Sequence, residues 1–150
     1  MPAKRDWLYG FSQQGHSIYY AVYRIILATK YKRRILKGGI GQYLKIGLSI
    51  MGKHYPDIKI FEAITGENYL YVQVSIPPSI SVSQLVDILK IDTAKALRNK
   101  FRFLSKLHYG GGEIWSAGCL VSTREINEEI IRKYIQHQGD EDYGQGHFVF

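Results

Sequence analysis

Apolar and polar residues alternate most regularly over residues 69–76, and this alternation predicts a β-strand. In a strand, successive side chains point to opposite faces of the sheet. One face carries four aliphatic residues, Leu70, Val72, Val74 and Ile76. The other face carries Tyr69, Tyr71, Gln73 and Ser75. Because the aliphatic face suits a core, we expect the face with the tyrosines to be the open side of a sheet.

The rest of the pattern predicts helices inserted between further strands. Runs of β-branched and aromatic residues indicate strands over 17–29 and 57–64, and a short strand or irregular segment over 113–121. Helical spacing indicates helices over 40–55, from a cap at Ser81 or Ser83 to about 103, and from a cap at Asn127 to 138. The resulting order, β-α-β-β-α-β-α, is typical of an α+β fold. We expect a ferredoxin-like or RRM-like sandwich, in which an antiparallel sheet carries helices on one face.

The length of the chain suits a single domain over residues 1–150. Gly139 follows the last predicted helix and is a common C-terminal stop. We therefore expect residues 139–150 to form a mobile tail.

The net charge of +7 suggests a polyanionic partner, because each neutralised phosphate releases counterions and adds affinity. Two basic groups are candidates for contacts with the phosphates of such a partner: Lys30, Lys32, Arg33 and Arg34 in the first, and Arg98, Lys100 and Arg102 in the second. Charge runs at element ends are, however, often no more than solvated surface.

Cysteine usage and hydropathy bear on the compartment. The single cysteine, Cys119, excludes an internal disulfide and fits a reducing environment. The first residues lack the apolar run of a signal peptide, and no segment is apolar over the length that a bilayer requires. We expect a cytoplasmic protein without a membrane partner.

Six segments carry a more specific signal, and they follow one another between residues 6 and 138. They are His16-Ser17, Ala28-Thr-Lys-Tyr-Lys-Arg-Arg34, Val74-Ser-Ile-Pro-Pro78, residues 83–90, Ile114-Trp-Ser-Ala-Gly118 and residues 130–138. In this order and spacing the chain resembles the single-tyrosine, HUH-type transposases of insertion sequences.

The resemblance implies chemistry on single-stranded DNA, with hairpin ends as the expected substrate and a homodimer as the expected assembly. In the family, a tyrosine on a helix attacks a DNA phosphate and leaves a 5′-phosphotyrosine and a 3′-hydroxyl. By resemblance this nucleophile is Tyr134, on the C-terminal helix. The family also uses Mg²⁺ or Mn²⁺, held by two histidines on alternate positions of a strand and by a glutamine, here Gln138. Residues four apart on a helix share a side, so Tyr134 and Gln138 can reach one site.

The chain departs from the family at the metal-binding positions. Tyr69 and Tyr71 stand where the family has its two histidines, and Arg24 stands near a further histidine of the first strand. Neutral phenol oxygens are weak ligands for a hard dication, which prefers carboxylate, carbonyl or water oxygens. We therefore expect a degenerate metal site and impaired metal-assisted cleavage.

Other interpretations of these residues remain open. Without the resemblance, Tyr134 is a core aromatic residue beside an isoleucine stripe, and Gln138 is a solvated helix-end residue. Tyr69 and Tyr71 either stack bases on an open sheet or pack against the last helix or a partner subunit. The chain could thus be a non-catalytic binder of single-stranded nucleic acid, or a ferredoxin-like dimer that binds a small ligand.

Overall fold

The computed structural model describes residues 10–106 and 113–144. A small hairpin of β1 (Ser12–Gln14) and β2 (Ser17–Tyr19) precedes the main sheet. The elements that follow are β3 (Val22–Ala28), α1 (Gly39–His54), β4 (Lys59–Thr65), β5 (Tyr69–Ser75), α2 (Val82–Lys100), β6 (Leu120–Ser122) and α3 (Glu128–Gly144). Short 3₁₀ turns lie at Lys30–Lys32 and Arg102–Lys106.

The main sheet has the strand order β4-β5-β3-β6, and all its neighbours are antiparallel. Numbered among themselves, the four strands run 2-3-1-4, which is the ferredoxin-like order. Strand β3 lies between β5 and β6. Its Leu27 pairs with Leu70 of β5, and its Ile25 pairs with Val121 of β6. The predicted α+β sandwich is therefore confirmed.

The main core lies between the sheet and the two helices α1 and α2. From the sheet it takes every second residue of β3 and β5, including Ile25, Leu27, Leu70, Val72 and Val74. From the helices it takes Leu44, Leu48, Leu85, Leu89 and Leu97. Helix α2 begins with a capping box, in which Ser81 and Gln84 each accept a hydrogen bond from the other's backbone N–H. Of the two predicted caps, Ser81 and Ser83, the helix uses Ser81.

Helix α3 packs on part of the second face of the sheet, so the expectation that this whole face is open is wrong. A second apolar cluster joins Ile26, Ala28 and Tyr71 of the sheet to Tyr134 and Ile135 of α3. Tyr71 is only 8% exposed. The strand pattern assigned each residue to the correct face but did not show that a helix more than fifty residues away packs on the second one.

Two element boundaries also differ from the prediction. The first strand is split, because β2 ends at Tyr19 and β3 begins at Val22. The helix stop at Gly139 is wrong, since α3 continues to Gly144. Gly139 is instead a packing site: a Cβ there would lie 2.5 Å from Cδ of Lys32. Of the predicted tail, residues 139–144 are helical, and residues 145–150 lie outside the described part of the chain.

Candidate active site

Tyr134 and Gln138 form a hydrogen-bonded pair on the buried side of α3. The Tyr134 hydroxyl donates to Gln138 Oε1 at 3.2 Å, and the two residues are 9% and 8% exposed. Gly118, just before β6, lies directly against this pair. A Cβ at Gly118 would come within 2.6 Å of Gln138 Oε1 and 3.6 Å of the Tyr134 hydroxyl oxygen. The sequence prediction that this tyrosine and glutamine share one side of the helix is met.

The surroundings of Tyr134 keep its phenol protonated. Burial raises the pKa of Tyr134 well above its ordinary value, and the neighbouring Cys119 and Asp142 add to the effect. Burial likewise raises the pKa of the Cys119 thiol, and Lys90 partly opposes that shift. In this arrangement Tyr134 is a hydrogen-bond donor to an amide and not a phenolate.

The segment Ser116–Gly118, against which Tyr134 lies, is held from two sides. Lys90 Nζ of α2 donates to the carbonyl oxygens of Ser116 and Ala117, each at 2.9 Å. The hydroxyl of Ser116 donates to Asp142 Oδ2 of α3 at 2.6 Å. The position of the buried tyrosine therefore depends on contacts from both helices.

Asp142 is a site residue that the sequence prediction missed. The residue is 7% exposed, and its carboxylate accepts hydrogen bonds from the Ser116 hydroxyl and, at 2.9 Å, from the Tyr31 N–H. The Tyr143 hydroxyl adds a bond to the Tyr31 carbonyl at 3.1 Å. Its spacing could have identified it, since Asp142 lies one helical turn beyond Gln138. The prediction missed it because it ended the helix before Gly139.

The three predicted metal-ligand positions hold two phenols and an amide, each in contact with other groups of the protein. Tyr71 packs in the second apolar cluster, and the Tyr69 ring lies over Gly66, where a Cβ would be 2.0 Å from Cε1. The Gln138 oxygen accepts from Tyr134. Neutral phenols are poor ligands for hard dications. Among the described residues, no three His, Cys, Asp or Glu side chains lie together where they could hold a metal ion.

Arg24 lies on the same face of the sheet as Tyr71. It pairs across strands with Gln73, and its Nη1 donates to the Thr123 carbonyl at 2.9 Å. Arg24, which the resemblance places near a further histidine of the family, therefore ties β3 to the segment after β6.

A groove beside α3 collects several of the predicted residues, and we call it the α3 groove. It encloses about 670 Å³ between α3, the Lys30–Lys32 turn and the β4–β5 turn. Its basic and aromatic lining consists of Tyr31, Lys32, Arg34, Tyr69 and Arg132. Tyr134 and Gln138 face Gly118, away from this groove.

The first predicted basic group divides into inward and outward members. Lys30 forms an ion pair with Glu113 at 3.2 Å. Arg33 donates from Nε to the Lys30 carbonyl at 2.8 Å and from Nη2 to the Glu113 carbonyl, and burial lowers its pKa. Lys32 and Arg34 line the α3 groove. The last two are therefore the better placed to meet a phosphate.

The second predicted basic group lies elsewhere. Arg98 lines a separate cavity of about 390 Å³ beside Trp115. Lys100 Nζ stands 5.6 Å from the ring centroid of Tyr43, and Arg102 is exposed at the start of a 3₁₀ turn. The structure does not bring this group to the α3 groove.

Comparison with known proteins gives a consistent result. The family described as "Transposase IS200 like" matches residues 17–138. The transposase for insertion sequence element IS200 of Salmonella typhimurium is 31% identical over 129 residues, which cover 85% of this chain and 82% of that protein. No helix within residues 10–106 and 113–144 has the length and apolar character to cross a bilayer.

Two solved structures share the fold. A putative transposase from Deinococcus radiodurans superposes with a TM-score of 0.74 at 23% identity, covering 85% of this chain and 97% of its own. A REP-associated tyrosine transposase bound to a REP hairpin superposes with a TM-score of 0.50 at 11% identity, covering 90% of this chain and 74% of its own.

Proposed function

Because the chain belongs to the IS200-like transposase family, we propose that it binds single-stranded DNA at hairpin ends in the cytoplasm and cleaves it with Tyr134. The supporting observation is the Tyr134–Gln138 pair, which has the family's residue types and spacing and is joined by a hydrogen bond. The structural relative bound to a REP hairpin supports a hairpin ligand.

In the proposed step the Tyr134 oxygen forms a bond to a DNA phosphorus while the bond from that phosphorus to the 3′ oxygen breaks. The phenol loses its proton to solvent, and the leaving oxygen takes one up to become a 3′-hydroxyl. A later attack by a 3′-hydroxyl on the phosphotyrosine rejoins a strand and restores the phenol. Since burial raises the pKa of Tyr134, the attacking form requires this side of α3 to open.

We also propose that the metal site of this chain is degenerate. The positions of the family's ligands hold two phenols and a glutamine that accepts from Tyr134. Without an ion to polarise the phosphate, cleavage by this chain is slow in comparison with relatives that keep both histidines.

The experiment that tests the function uses single-stranded oligonucleotides from the DNA that flanks the gene, with Mn²⁺ or with EDTA. We expect a protein–DNA adduct that survives a denaturing gel in the wild type and is absent in Tyr134→Phe. The variant loses the hydroxyl but keeps the ring in the apolar cluster, so its DNA shift on a native gel should be unchanged. An adduct that persists in Tyr134→Phe would disprove the assigned nucleophile.

A non-catalytic binder of single-stranded DNA is the second candidate function. It is favoured by Tyr71, whose ring is buried in the apolar cluster where the family has a metal ligand. The same gels distinguish the two functions. A native shift with no adduct under either condition would support the binder and reject cleavage.

We further propose that the protein is a homodimer. In the described residues β4 forms an outer edge of the sheet, where a second copy could add its own strand. Large apolar side chains are exposed on this strand and on α1, namely Phe61, Ile46 and Ile50. Light scattering at micromolar concentration should give twice the mass of the chain, and Phe61→Lys should shift it toward the monomer. A monomeric wild type would contradict this assembly.

A further inference from the structure

The α3 groove combines an aromatic wall with several cations, and this combination suits a nucleotide. We propose that one unpaired nucleotide of single-stranded DNA binds in this groove, with its base stacked on Tyr69 and its phosphates beside the cationic side chains. The inference rests on the proposed function, because it states where the chain holds the single strand. It chooses base stacking for Tyr69, at a position where the resemblance places a metal ligand.

The ring of Tyr69 is a preformed surface. It lies against the backbone of Gly66, so closely that a Cβ there would be 2.0 Å from Cε1 and 2.5 Å from Cδ1. The same turn is closed by a hydrogen bond from the Gly66 N–H to the Tyr69 carbonyl at 3.0 Å. Since the turn holds one side of the ring and the ring also lines the groove, little side-chain entropy is lost when a base stacks on it.

The cations around the groove can exchange their present contacts for a phosphate. Arg34 is paired with Glu67 at 3.8 Å, with its side chain 72% exposed, and such surface pairs contribute little to stability. Lys32 Nζ donates to Gln136 Oε1 at 3.1 Å, a neutral acceptor. A DNA phosphate is a stronger acceptor than either partner in its present geometry.

The balance of charge and the size of the groove agree with this ligand. Three cationic side chains line the groove, Lys32, Arg34 and Arg132, and Glu128 is the acidic member of the described lining. Ile131 and Ile135 of α3 add apolar surface. The volume of about 670 Å³ falls in the range of sites for small molecules and cofactors.

The first test measures the affinity for fluorescent oligo(dT) as a function of salt. Tyr69→Leu removes the aromatic face and should raise the Kd about tenfold at every salt concentration, while Tyr69→Phe keeps it and should stay near the wild-type value. The slope of log Kd against log salt should be the same in all three proteins, because stacking carries no charge.

The second test separates phosphate contacts from the general charge of the protein. Arg132→Gln should reduce the salt slope by about 0.7, the value for one phosphate contact with a single strand. Lys133→Gln is the matched control: it removes the same charge from the next position of α3, where the lysine is paired with Glu129 at 3.3 Å and does not line the groove. Its slope should match that of the wild type.

A direct readout comes from photo-crosslinking of an oligonucleotide that carries 5-iodouracil. Mass spectrometry of the peptides should place the adduct on Tyr69. Unchanged affinity in Tyr69→Leu together with crosslinks only outside the groove would overturn the inference and leave the proposed function standing. A wild-type protein that binds no single-stranded oligonucleotide would overturn both.

Discussion

The double variant Tyr69→His/Tyr71→His should form the covalent DNA adduct about a hundredfold faster than the wild type when Mn²⁺ is present. The two positions are alternate residues of β5 on the face toward α3, so two imidazoles there can converge on one ion. An ion that polarises the phosphate lowers the barrier by several kcal/mol, and a hundredfold corresponds to about 2.7 kcal/mol. Quenched time courses on denaturing gels, with Mn²⁺ and with EDTA, measure the effect.

The matched control is Tyr69→Leu/Tyr71→Leu, which also removes both phenols but supplies no metal ligand. It should show no dependence on Mn²⁺. Calorimetric titration with Mn²⁺ should give one site per chain in the histidine variant. An adduct rate that stays at the wild-type level despite Mn²⁺ binding would show that the lost histidines are not what limits cleavage.

Asp142→Ala should lower the free energy of unfolding by about 1–3 kcal/mol, the second large effect that we expect. The substitution removes an acceptor of the half-buried Tyr31 N–H and the nearer of two acceptors of the Ser116 hydroxyl, which also lies 3.3 Å from the Thr29 carbonyl oxygen. Urea unfolding measures the loss, and hydrogen exchange should show faster opening of α3.

Two further variants isolate the cause of this loss. Asp142→Asn keeps one acceptor oxygen, so its cost should be smaller. Asp140→Ala removes an exposed carboxylate from the same helix, where it accepts a hydrogen bond from Gln136 at 2.8 Å, and should change stability by less than about 0.5 kcal/mol. Equal losses in Asp140→Ala and Asp142→Ala would mean that helix charge, and not the buried contacts, is responsible.

Local periodicity was sufficient for the parts of the fold that depend on near neighbours in sequence. The alternation over 69–76 assigned Leu70 and Val72 to one face and Tyr69 and Tyr71 to the other, because a strand's period is fixed by its backbone. It did not show what covers each face. Burial of Tyr71 depends on the docking of α3, which no local pattern in β5 encodes.

The roles of two glycines also depend on contacts that local sequence patterns do not show. Gly139 has the residue type of a helix stop, yet it lies within α3. A glycine suits this position because the aliphatic part of the Lys32 side chain occupies the space that a Cβ would need. Gly118 was part of a family-like segment, but its contact with Gln138 is visible only once β6 and α3 are placed together. The role of each glycine thus depends on the side chain that packs against it in the folded chain.

The turn at Tyr31 and Lys32 has left-handed backbone angles, with φ of 60° and 54°. Each costs about 1–2 kcal/mol in a residue other than glycine. Contacts from α3 offset part of this cost, since Asp142, Tyr143 and Gly139 all contact the turn. The shape of the turn and the release of the helix that carries Tyr134 are therefore linked. By thermodynamic reciprocity, a ligand that favours the present position of Lys32 opposes release of α3 by the same free energy.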